Sequence, residues 1–184
     1  NEVDMNKLIL IDGHSILNRA FYGVPLFGNT KGVHTNAVFG FLNMMFKFID
    51  DEQPTHFAVA FDVHQPTFRH EMFKEYKGTR KPMLPELREQ VPLIKDLLKK
   101  MNITVIELPG YEADDVIGTM CKEGEKEGMD VCIYSGDRDL LQLASEKITV
   151  CIPKTKKGQT TIERYNTEDV KALYKVTPLE FIDV

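Results

Sequence analysis

The chain has 184 residues, of which 42% are hydrophobic, and this is enough for one domain with a substantial core. The composition excludes a disordered or collagen-like chain, and no apolar run is long enough to span a membrane. The net charge of −5 argues against a protein that binds nucleic acid through a generally basic surface. However, a dense acidic site would lower the net charge even if other segments of the chain were strongly basic.

Both the N-terminus and the cysteines indicate a cytoplasmic protein. The first four residues are polar and acidic, unlike a signal peptide, and Met5 is expected to be the natural start, with residues 1–4 as an added remnant. Three cysteines form no CxxC motif and leave an odd count, so no disulfide framework is expected. Cys121, Cys132 and Cys151 are therefore predicted to be core residues.

Strands and helices are predicted to alternate along the first half of the chain. Residues 7–11 form an apolar run without alternation, which is typical of a strand covered on both faces, and they lead into Asp12. The other elements predicted here are a helix over 15–22, a buried helix over 36–49, and a strand over 57–61 that leads into Asp62.

Residues 68–81 form a segment of different composition, with five Lys or Arg against two Glu. In helical form much of the basic charge would share a face with Phe73 and Tyr76. Such a face suits single-stranded nucleic acid, because cations attract the backbone and aromatic rings stack on bases. By itself the segment would equally indicate a solvated helix face. Its basic residues are Arg69, Lys74, Lys77, Arg80 and Lys81.

The second half of the chain continues the alternation. The predicted elements are a helix over 85–101, a strand over 104–108, a helix from Glu112 to about Gly128, a strand over 131–134, a short helix through 140–143, strands over 148–152 and 160–162, a helix that Thr167 caps and that runs to Tyr174, and a helix that starts at Pro178. This order predicts a three-layer α/β domain with a mostly parallel central sheet.

The stretch 110–116 places three carboxylates in the first turn of a predicted helix. Acidic residues are ordinary there, because they face the positive end of the helix dipole. However, three other predicted strands also lead into carboxylates, and the strand ends of an open parallel sheet lie side by side, where ligands bind. The sequence therefore predicts one acidic site, built from Asp12, Asp62, Glu112, Asp114, Asp115, Asp137 and Asp139.

Such a cluster predicts bound cations, because packed carboxylates repel one another unless cations neutralise them or some of them take up protons. Hard oxygen ligands without a His-Cys cluster favour Mg²⁺ or Mn²⁺ over zinc. Two such ions can activate water and stabilise the leaving oxygen in the hydrolysis of a phosphodiester. The residues alone therefore predict a metal-dependent phosphodiesterase.

Four motifs occur in an order that strongly resembles the 5′-nuclease domain at the N-terminus of bacterial DNA polymerase I. They are Ile11-Asp12-Gly13, Ala60-Phe61-Asp62, Gly110-Tyr-Glu-Ala-Asp-Asp-Val116 and Ser135-Gly-Asp-Arg-Asp-Leu140, and the likeness continues through 36–43, 67–70 and 87–94. The resemblance covers residues 5–184. It implies a PIN-like, flap-endonuclease-type fold that removes 5′ flaps and RNA primers in replication and repair, as a monomer at the bacterial nucleoid, in one chain with polymerase domains.

The resemblance also implies roles for single residues. Asp12, Asp62, Glu112 and Asp114 would surround a first Mg²⁺ or Mn²⁺, and Asp115, Asp137 and Asp139 would serve a second, some through water. Lys77 and Arg80 would act on the scissile phosphate, which makes them catalytic candidates together with Asp12 and Asp62. Tyr76 would stack on a base and Arg19 would contact a phosphate, while Arg69, Lys74 and Lys81 are further predicted DNA contacts.

Alternatives to this nuclease stay open. In the family the chain continues after Asp183 into further second-site ligands and a helix-turn-helix that grips duplex DNA. The sequence is expected to be truncated before that region, which favours weak or absent activity and permits a DNA-binding fragment without catalysis. A PIN-type ribonuclease would share the acidic site but usually lacks the basic segment. A phosphotransferase would need an acid two residues after Asp12, where His14 stands.

Overall fold

The computed structural model describes residues 6–63, 68–72, 82–156 and 159–183. Its strands are β1 Lys7–Asp12, β2 His56–Ala60, β3 Thr104–Ile106, β4 Asp130–Tyr134, β5 Ile148–Lys156 and β6 Gln159–Tyr165. Its helices are α1 Gly13–Gly23, α2 Asn36–Glu52, α3 Phe68–Met72, α4 Pro85–Arg88, α5 Gln90–Lys100, α6 Ala113–Lys126 and α7 Thr167–Tyr174, with 3₁₀ helices at Arg138–Leu143 and Glu180–Asp183.

The six strands form one sheet in the order β3-β2-β1-β4-β5-β6. All neighbouring strands are parallel except β6, which runs antiparallel to β5. The strand order reverses between β1 and β4, where Ile11 lies beside Val59 on one side and Tyr134 on the other. In open α/β sheets this reversal opens a crevice beyond the carboxyl ends of the strands. The predicted mostly parallel sheet is thus confirmed.

Helices cover both faces of the sheet. Leu8 and Leu10 of β1 point into a core with α6, the 3₁₀ helix Arg138–Leu143 and α7. Ile9 and Ile11 point into a second core with α1, α2, α4 and α5. The apolar run of β1 lacks alternation for this reason, and the three-layer architecture is confirmed. All three cysteines are buried, as predicted. None of the described helices is both long and apolar enough to cross a membrane.

The helix predicted over 85–101 is in fact two helices, which separate at Glu89. Pro92 lies in the first turn of α5 and has no N–H to donate to the carbonyl of Arg88. A proline is well tolerated in a first turn, where N–H groups have no helical acceptor, so the new helix begins just before it. The prediction of one continuous helix was wrong because it disregarded this proline.

Two details near the C-terminus also differ from the prediction. Asn166, not Thr167, caps α7: its side-chain oxygen accepts hydrogen bonds from the backbone N–H groups of Glu168 at 2.9 Å and Asp169 at 3.1 Å. The helix expected from Pro178 is a short 3₁₀ turn at Glu180–Asp183. Asparagine and threonine both cap helices, so their order along the chain alone does not decide which one does.

A buried amide pair joins α5 to the start of α2. The Oε1 atom of Gln90 accepts hydrogen bonds from the backbone N–H groups of Ala37 at 2.8 Å and Val38 at 3.2 Å, and its Nε2 atom donates to Asn36 Oδ1 at 2.9 Å. Both amide side chains are fully buried. Thr35 precedes α2 but makes no capping bond with its side chain. Gln90 therefore supplies the N-terminal cap of α2 from another helix.

Replacing Gln90 with leucine is expected to lower the free energy of unfolding by about 2–4 kcal/mol, because it leaves several buried N–H and C=O groups without partners. Urea unfolding measures this change. The same exchange at Gln142, whose amide donates to an exposed carbonyl, is expected to change stability by about 0.5 kcal/mol or less. Equal effects of the two substitutions would contradict the capping role of Gln90.

Candidate functional site

Five of the predicted acidic residues line one pocket at the carboxyl ends of β1, β2 and β4 and the start of α6. The pocket has a volume of about 500 Å³ and its carboxylates are Asp12, Asp62, Glu112, Asp114 and Asp137. The remaining lining residues are His14, Ser15, Asn18, Met83 and Gly136. The pocket lies where the strand order reverses. In open α/β sheets, ligands usually bind in the crevice at this point.

Asp12 is held in place from two sides. It ends β1 and caps α1, so that its Oδ1 atom accepts a hydrogen bond from the backbone N–H of Ser15 at 3.1 Å. Its Oδ2 atom accepts from the hydroxyl of Ser135 at 2.8 Å. That hydroxyl in turn accepts from the backbone N–H of Asp137 at 3.0 Å. Ser135 therefore connects Asp12, at the end of β1, with Asp137, which follows β4.

Gly13 permits close packing immediately beside Asp12. A Cβ atom at this glycine would lie 2.5 Å from a ring atom of Phe61, which is itself almost fully buried. Phe61 directly precedes Asp62, so the first turn of α1 and the end of β2 approach each other closely. A larger residue at position 13 would push these two parts of the pocket apart.

Asp62 connects β2 to α6. Its Oδ1 atom accepts a hydrogen bond from the backbone N–H of Ala113 at 2.7 Å, at the N-terminus of α6, where N–H groups lack helical acceptors. Its own backbone N–H donates to His14 Nδ1 at 3.2 Å. His14 also packs edge-on against Phe61, with 5.4 Å between the ring centroids. In this arrangement His14 supports the backbone at the site.

Burial and mutual repulsion hold protons on this cluster. Burial raises the pKa of the Asp12 carboxyl to about 6, and hydrogen bonds from Ser135 and Ser15 oppose the shift. Burial also raises the pKa of Asp114 to about 7, with further contributions from the neighbouring charges of Asp12, Asp137, Asp62 and Glu112. Near neutral pH the pocket therefore either keeps protons or takes up cations.

The donor set fits a hard divalent cation. Its five side chains offer carboxylate oxygens and no thiolate, which suits Mg²⁺ or Mn²⁺. Within the described part of the chain, no three His, Cys, Asp or Glu side chains already stand close enough together to coordinate an ion. The carboxylates repel one another, and Asp12, Asp62 and Asp137 accept hydrogen bonds from N–H or hydroxyl donors instead. Cation binding would therefore involve small movements of these side chains.

Two predicted acidic residues lie outside the pocket. Asp115 and Asp139 line a neighbouring cleft of about 1040 Å³ between α3, α6 and the 3₁₀ helix Arg138–Leu143, which Glu112 and Asp114 also border. Asp115 accepts two hydrogen bonds from Arg69, both at 2.7 Å. The backbone N–H of Asp139 donates to Asp137 Oδ1 at 2.9 Å. Their role at a second metal ion stays a prediction.

The structure describes only some of the residues that were predicted to contact DNA. Arg19 lies on α1, and its Nε atom is buried without a hydrogen-bond partner among the described residues. A Cβ atom on Gly136 would lie 3.9 Å from Arg19 Nη1, so this guanidinium lies beside the turn that carries Asp137. Arg69 lies on α3 and pairs with Asp115. The others, Lys74, Tyr76, Lys77, Arg80 and Lys81, lie outside the described residues.

Several residues that shape the site were not among the predicted site residues. Ser15 and Ser135 hold Asp12. Ser135 could have been found because it directly follows a predicted strand and opens the motif 135–140, whereas no sequence signal distinguishes Ser15 from other serines. Arg138 stands between Asp137 and Asp139 in the sequence, but its guanidinium donates to the hydroxyl of Tyr174 and, at 3.4 Å, to Glu163. Arg138 therefore ties the 3₁₀ helix to α7 and β6.

Solved structures share this fold. One is bacteriophage T5 5′-exonuclease with divalent zinc ions bound, at a TM-score of 0.69 and 20% identity, which covers 96% of this chain and 64% of that chain. Another is a T5 flap endonuclease in a pseudo-enzyme-product complex with DNA and metal ions, at a TM-score of 0.70 and 22% identity, which covers 95% and 63%. At these identities the likeness establishes the fold alone.

Sequence relatives are more similar. The chain is 52% identical to DNA polymerase I of Bacillus subtilis over 98% of this chain and 20% of that protein. It is 56% identical to DNA polymerase I of Geobacillus stearothermophilus over 92% of this chain and 19% of that protein. It thus spans about a fifth of these relatives. The family model of the 5′-3′ exonuclease N-terminal resolvase-like domain matches residues 7–175, and the chain belongs to that family.

Proposed function

We propose that the chain is the 5′-nuclease part of a bacterial DNA polymerase I, a metal-dependent 5′-3′ exonuclease and flap endonuclease. The observation that carries the proposal is the pocket of five carboxylates at the reversal of strand order, where the pKa of Asp114 is raised to about 7. A cluster of this charge is costly without cations, and hydrolysis of a phosphodiester is a reaction for which paired divalent cations are well suited.

In this proposal Asp12, Asp62, Glu112, Asp114 and Asp137 hold Mg²⁺ or Mn²⁺, with two ions in the complete domain and Asp139 acting through water. When bound, such ions activate a water molecule and stabilise the leaving oxygen. The chain itself fixes the donors: Ser15 and Ser135 orient Asp12, and the N-terminus of α6 orients Asp62. A donor set fixed in this way limits the reorganisation needed when the ions bind.

The proposed substrate is DNA with a 5′ flap, a nick or an RNA primer. The Arg19 guanidinium lies beside Gly136, which lines the pocket, and a guanidinium in this place suits a phosphate oxygen. The basic segment 68–81 supplies Lys74 and Lys81 for backbone contacts and Tyr76 for base stacking. The protein would act as a monomer at the nucleoid, with polymerase domains in the same longer chain, as in the relatives named above.

Single-turnover cleavage of a labelled 5′-flap duplex in Mn²⁺ tests the proposal. This chain is compared with one that is extended by the residues that follow in its DNA polymerase I relatives. Cleavage by both would mean that the residues named here suffice for the chemistry. Cleavage by the longer chain alone would show that the metal site in this chain is incomplete, and DNA affinity would then decide whether it is a DNA-binding part. Cleavage by neither would refute the nuclease function.

Replacing Lys77 with alanine is expected to slow single-turnover cleavage by roughly 100-fold, because the lysine would stabilise charge that develops on the phosphate. DNA affinity, measured by fluorescence anisotropy, is expected to fall much less, since many phosphate contacts share it. Lys47→Ala is the control, because that lysine lies on α2 and pairs with Asp51 at the surface. Equal cleavage rates for Lys77→Ala and the unsubstituted chain would refute this role.

A further inference from the structure

A two-pronged ion pair connects α3 to the first turn of α6. Both terminal nitrogens of Arg69 donate to the carboxylate of Asp115, each at 2.7 Å. The two side chains are only 31% and 23% exposed. Planar, two-pronged pairs of this kind fix the relative orientation of their partners more tightly than single contacts do. The pair therefore restrains α3 relative to α6.

Asp115 passes this restraint on to Glu112. Its Oδ2 atom, which accepts from Arg69, also accepts from the backbone N–H of Glu112 at 3.0 Å. The Oε2 atom of Glu112 lies 3.9 Å from Arg69 Nη1. One guanidinium thus lies against two carboxylates, and one of them, Glu112, lines the acidic pocket. Movement of Arg69 would therefore change the position of Glu112 at the pocket.

Asp114 and Asp115 have different surroundings although they are adjacent. Successive residues of a helix point about 100° apart, so neighbouring carboxylates on α6 face different ways. Asp114 lines both the acidic pocket and the cleft beside it. Asp115 lines the cleft but not the acidic pocket. Both carboxylate oxygens of Asp115 already accept short hydrogen bonds from the guanidinium of Arg69. This geometry suits a residue that orients its neighbours.

Further contacts hold α3 against residues 110–111, which precede α6. The backbone N–H of Phe68 donates to the carbonyl of Gly110 at 3.1 Å. The ring of Phe68 packs against Tyr111 at 5.8 Å between centroids, and the guanidinium of Arg69 lies 4.6 Å from the Phe68 ring centroid. In the sequence, α3 is followed directly by residues 73–81, which carry most of the basic charge of segment 68–81.

We propose that Arg69 and Asp115 are a positioning pair that holds α3 and Glu112 in fixed positions beside the acidic pocket. This inference rests on the proposed nuclease function. In it, Asp115 acts through Arg69 and Glu112 and does not bind a metal ion, and Arg69 acts through Asp115 and not through DNA. Breaking the pair would let α3 shift relative to α6 and would remove a restraint on Glu112, so the acidic pocket would be less well ordered for cleavage.

The test uses the variants Arg69→Gln, Asp115→Asn and the double variant, which has the same net charge as the unsubstituted chain. Each single variant is expected to slow single-turnover cleavage by roughly 10- to 100-fold, the usual effect of losing a supporting contact. The double variant is expected to be no slower than either single one, because both remove the same interaction. Lys100→Gln breaks an exposed ion pair with Asp96 on the surface of α5 and is the control.

Two readouts separate positioning from metal binding. Titration of the DNA-free chains with Mn²⁺, followed by electron paramagnetic resonance, is expected to give the same number of bound ions for all variants. Hydrogen exchange at the amides of α3 is expected to accelerate equally in all three, while in Lys100→Gln it stays as in the unsubstituted chain. Loss of a bound Mn²⁺ in Asp115→Asn, with Arg69→Gln retaining it, would show that Asp115 is a ligand and overturn the proposal.

Failure of the proposed function would look different. A chain that cleaves no substrate would refute the nuclease function, while hydrogen exchange and the Mn²⁺ titration would still decide whether the pair restrains α3. Unchanged exchange at α3 in all three variants would overturn the positioning role irrespective of activity. Additive slowing in the double variant would likewise overturn it, because it would show that the two residues act independently.

Discussion

Millimolar Mg²⁺ is expected to raise the melting temperature of the chain by roughly 5–10 °C near pH 8, and by much less near pH 5. A ligand present at 100 times its dissociation constant stabilises a fold by about 2.7 kcal/mol. In a domain of this size each kcal/mol corresponds to about 2–4 °C. The stabilisation is large here because the cation relieves repulsion among the five carboxylates of the pocket.

The dependence on pH follows from the sign of the pKa shifts. Folding raises the pKa of Asp12 from 3.8 to about 6 and that of Asp114 from 3.8 to about 7. The folded state therefore binds more protons than the unfolded state between these values, and without metal its stability falls as the pH rises from about 4 to about 7. Each shift corresponds to about 3–4 kcal/mol, and the two overlap because the carboxyls interact.

Calorimetry in EDTA and in Mg²⁺ across this pH range measures both effects. Asp114→Asn is expected to be more stable than the unsubstituted chain in EDTA near pH 8, and to lose most of the response to Mg²⁺. Asp51→Asn is the control, since Asp51 pairs with Lys47 on the surface of α2 and is expected to leave the response intact. A melting temperature that Mg²⁺ does not change would contradict a metal-binding pocket.

The location of the site could be predicted from the sequence because its signal is local. Asp12 and Asp62 each follow an apolar run, and such runs become the parallel strands of the sheet. Once the strands are parallel, their carboxyl ends must share one edge. The sequence thus predicts a cluster at that edge without any information on how the helices pack.

The direction of individual side chains could not be predicted in this way. Asp114 faces the pocket and Asp115 faces Arg69, and this difference depends on the rotation of α6 about its axis. That rotation is set by the burial of Val116, Ile117 and Cys121 against the sheet. All acidic residues of the stretch 110–116 look equivalent in the sequence, although the packed helix separates them.

Contacts across long sequence distances were equally inaccessible. Gln90 caps α2 from 53 residues away, and nothing in the composition around it distinguishes it from a surface glutamine. Ser135 reaches Asp12 over a separation of 123 residues. Such pairs depend on the three-dimensional arrangement of elements whose order the sequence predicts but whose exact packing it does not.

Replacing Asp12 with asparagine is expected to reduce single-turnover cleavage by at least about 100-fold in Mg²⁺ or Mn²⁺. The amide keeps the size of the side chain but removes the negative charge that would bind the cation. It also offers one oxygen where the carboxylate accepts hydrogen bonds from both Ser15 and Ser135. The loss in rate reflects weaker electrostatic stabilisation of the reacting phosphodiester and a less ordered cation.

Stability separates this effect from misfolding. In EDTA near pH 8 the Asp12→Asn variant is expected to be at least as stable as the unsubstituted chain, because burial opposes the charge of Asp12 at that pH. Rate and stability should therefore change in different directions, whereas a misfolded variant would lose both. Cleavage by Asp12→Asn at the rate of the Asp51→Asn control would show that Asp12 takes no part in the chemistry.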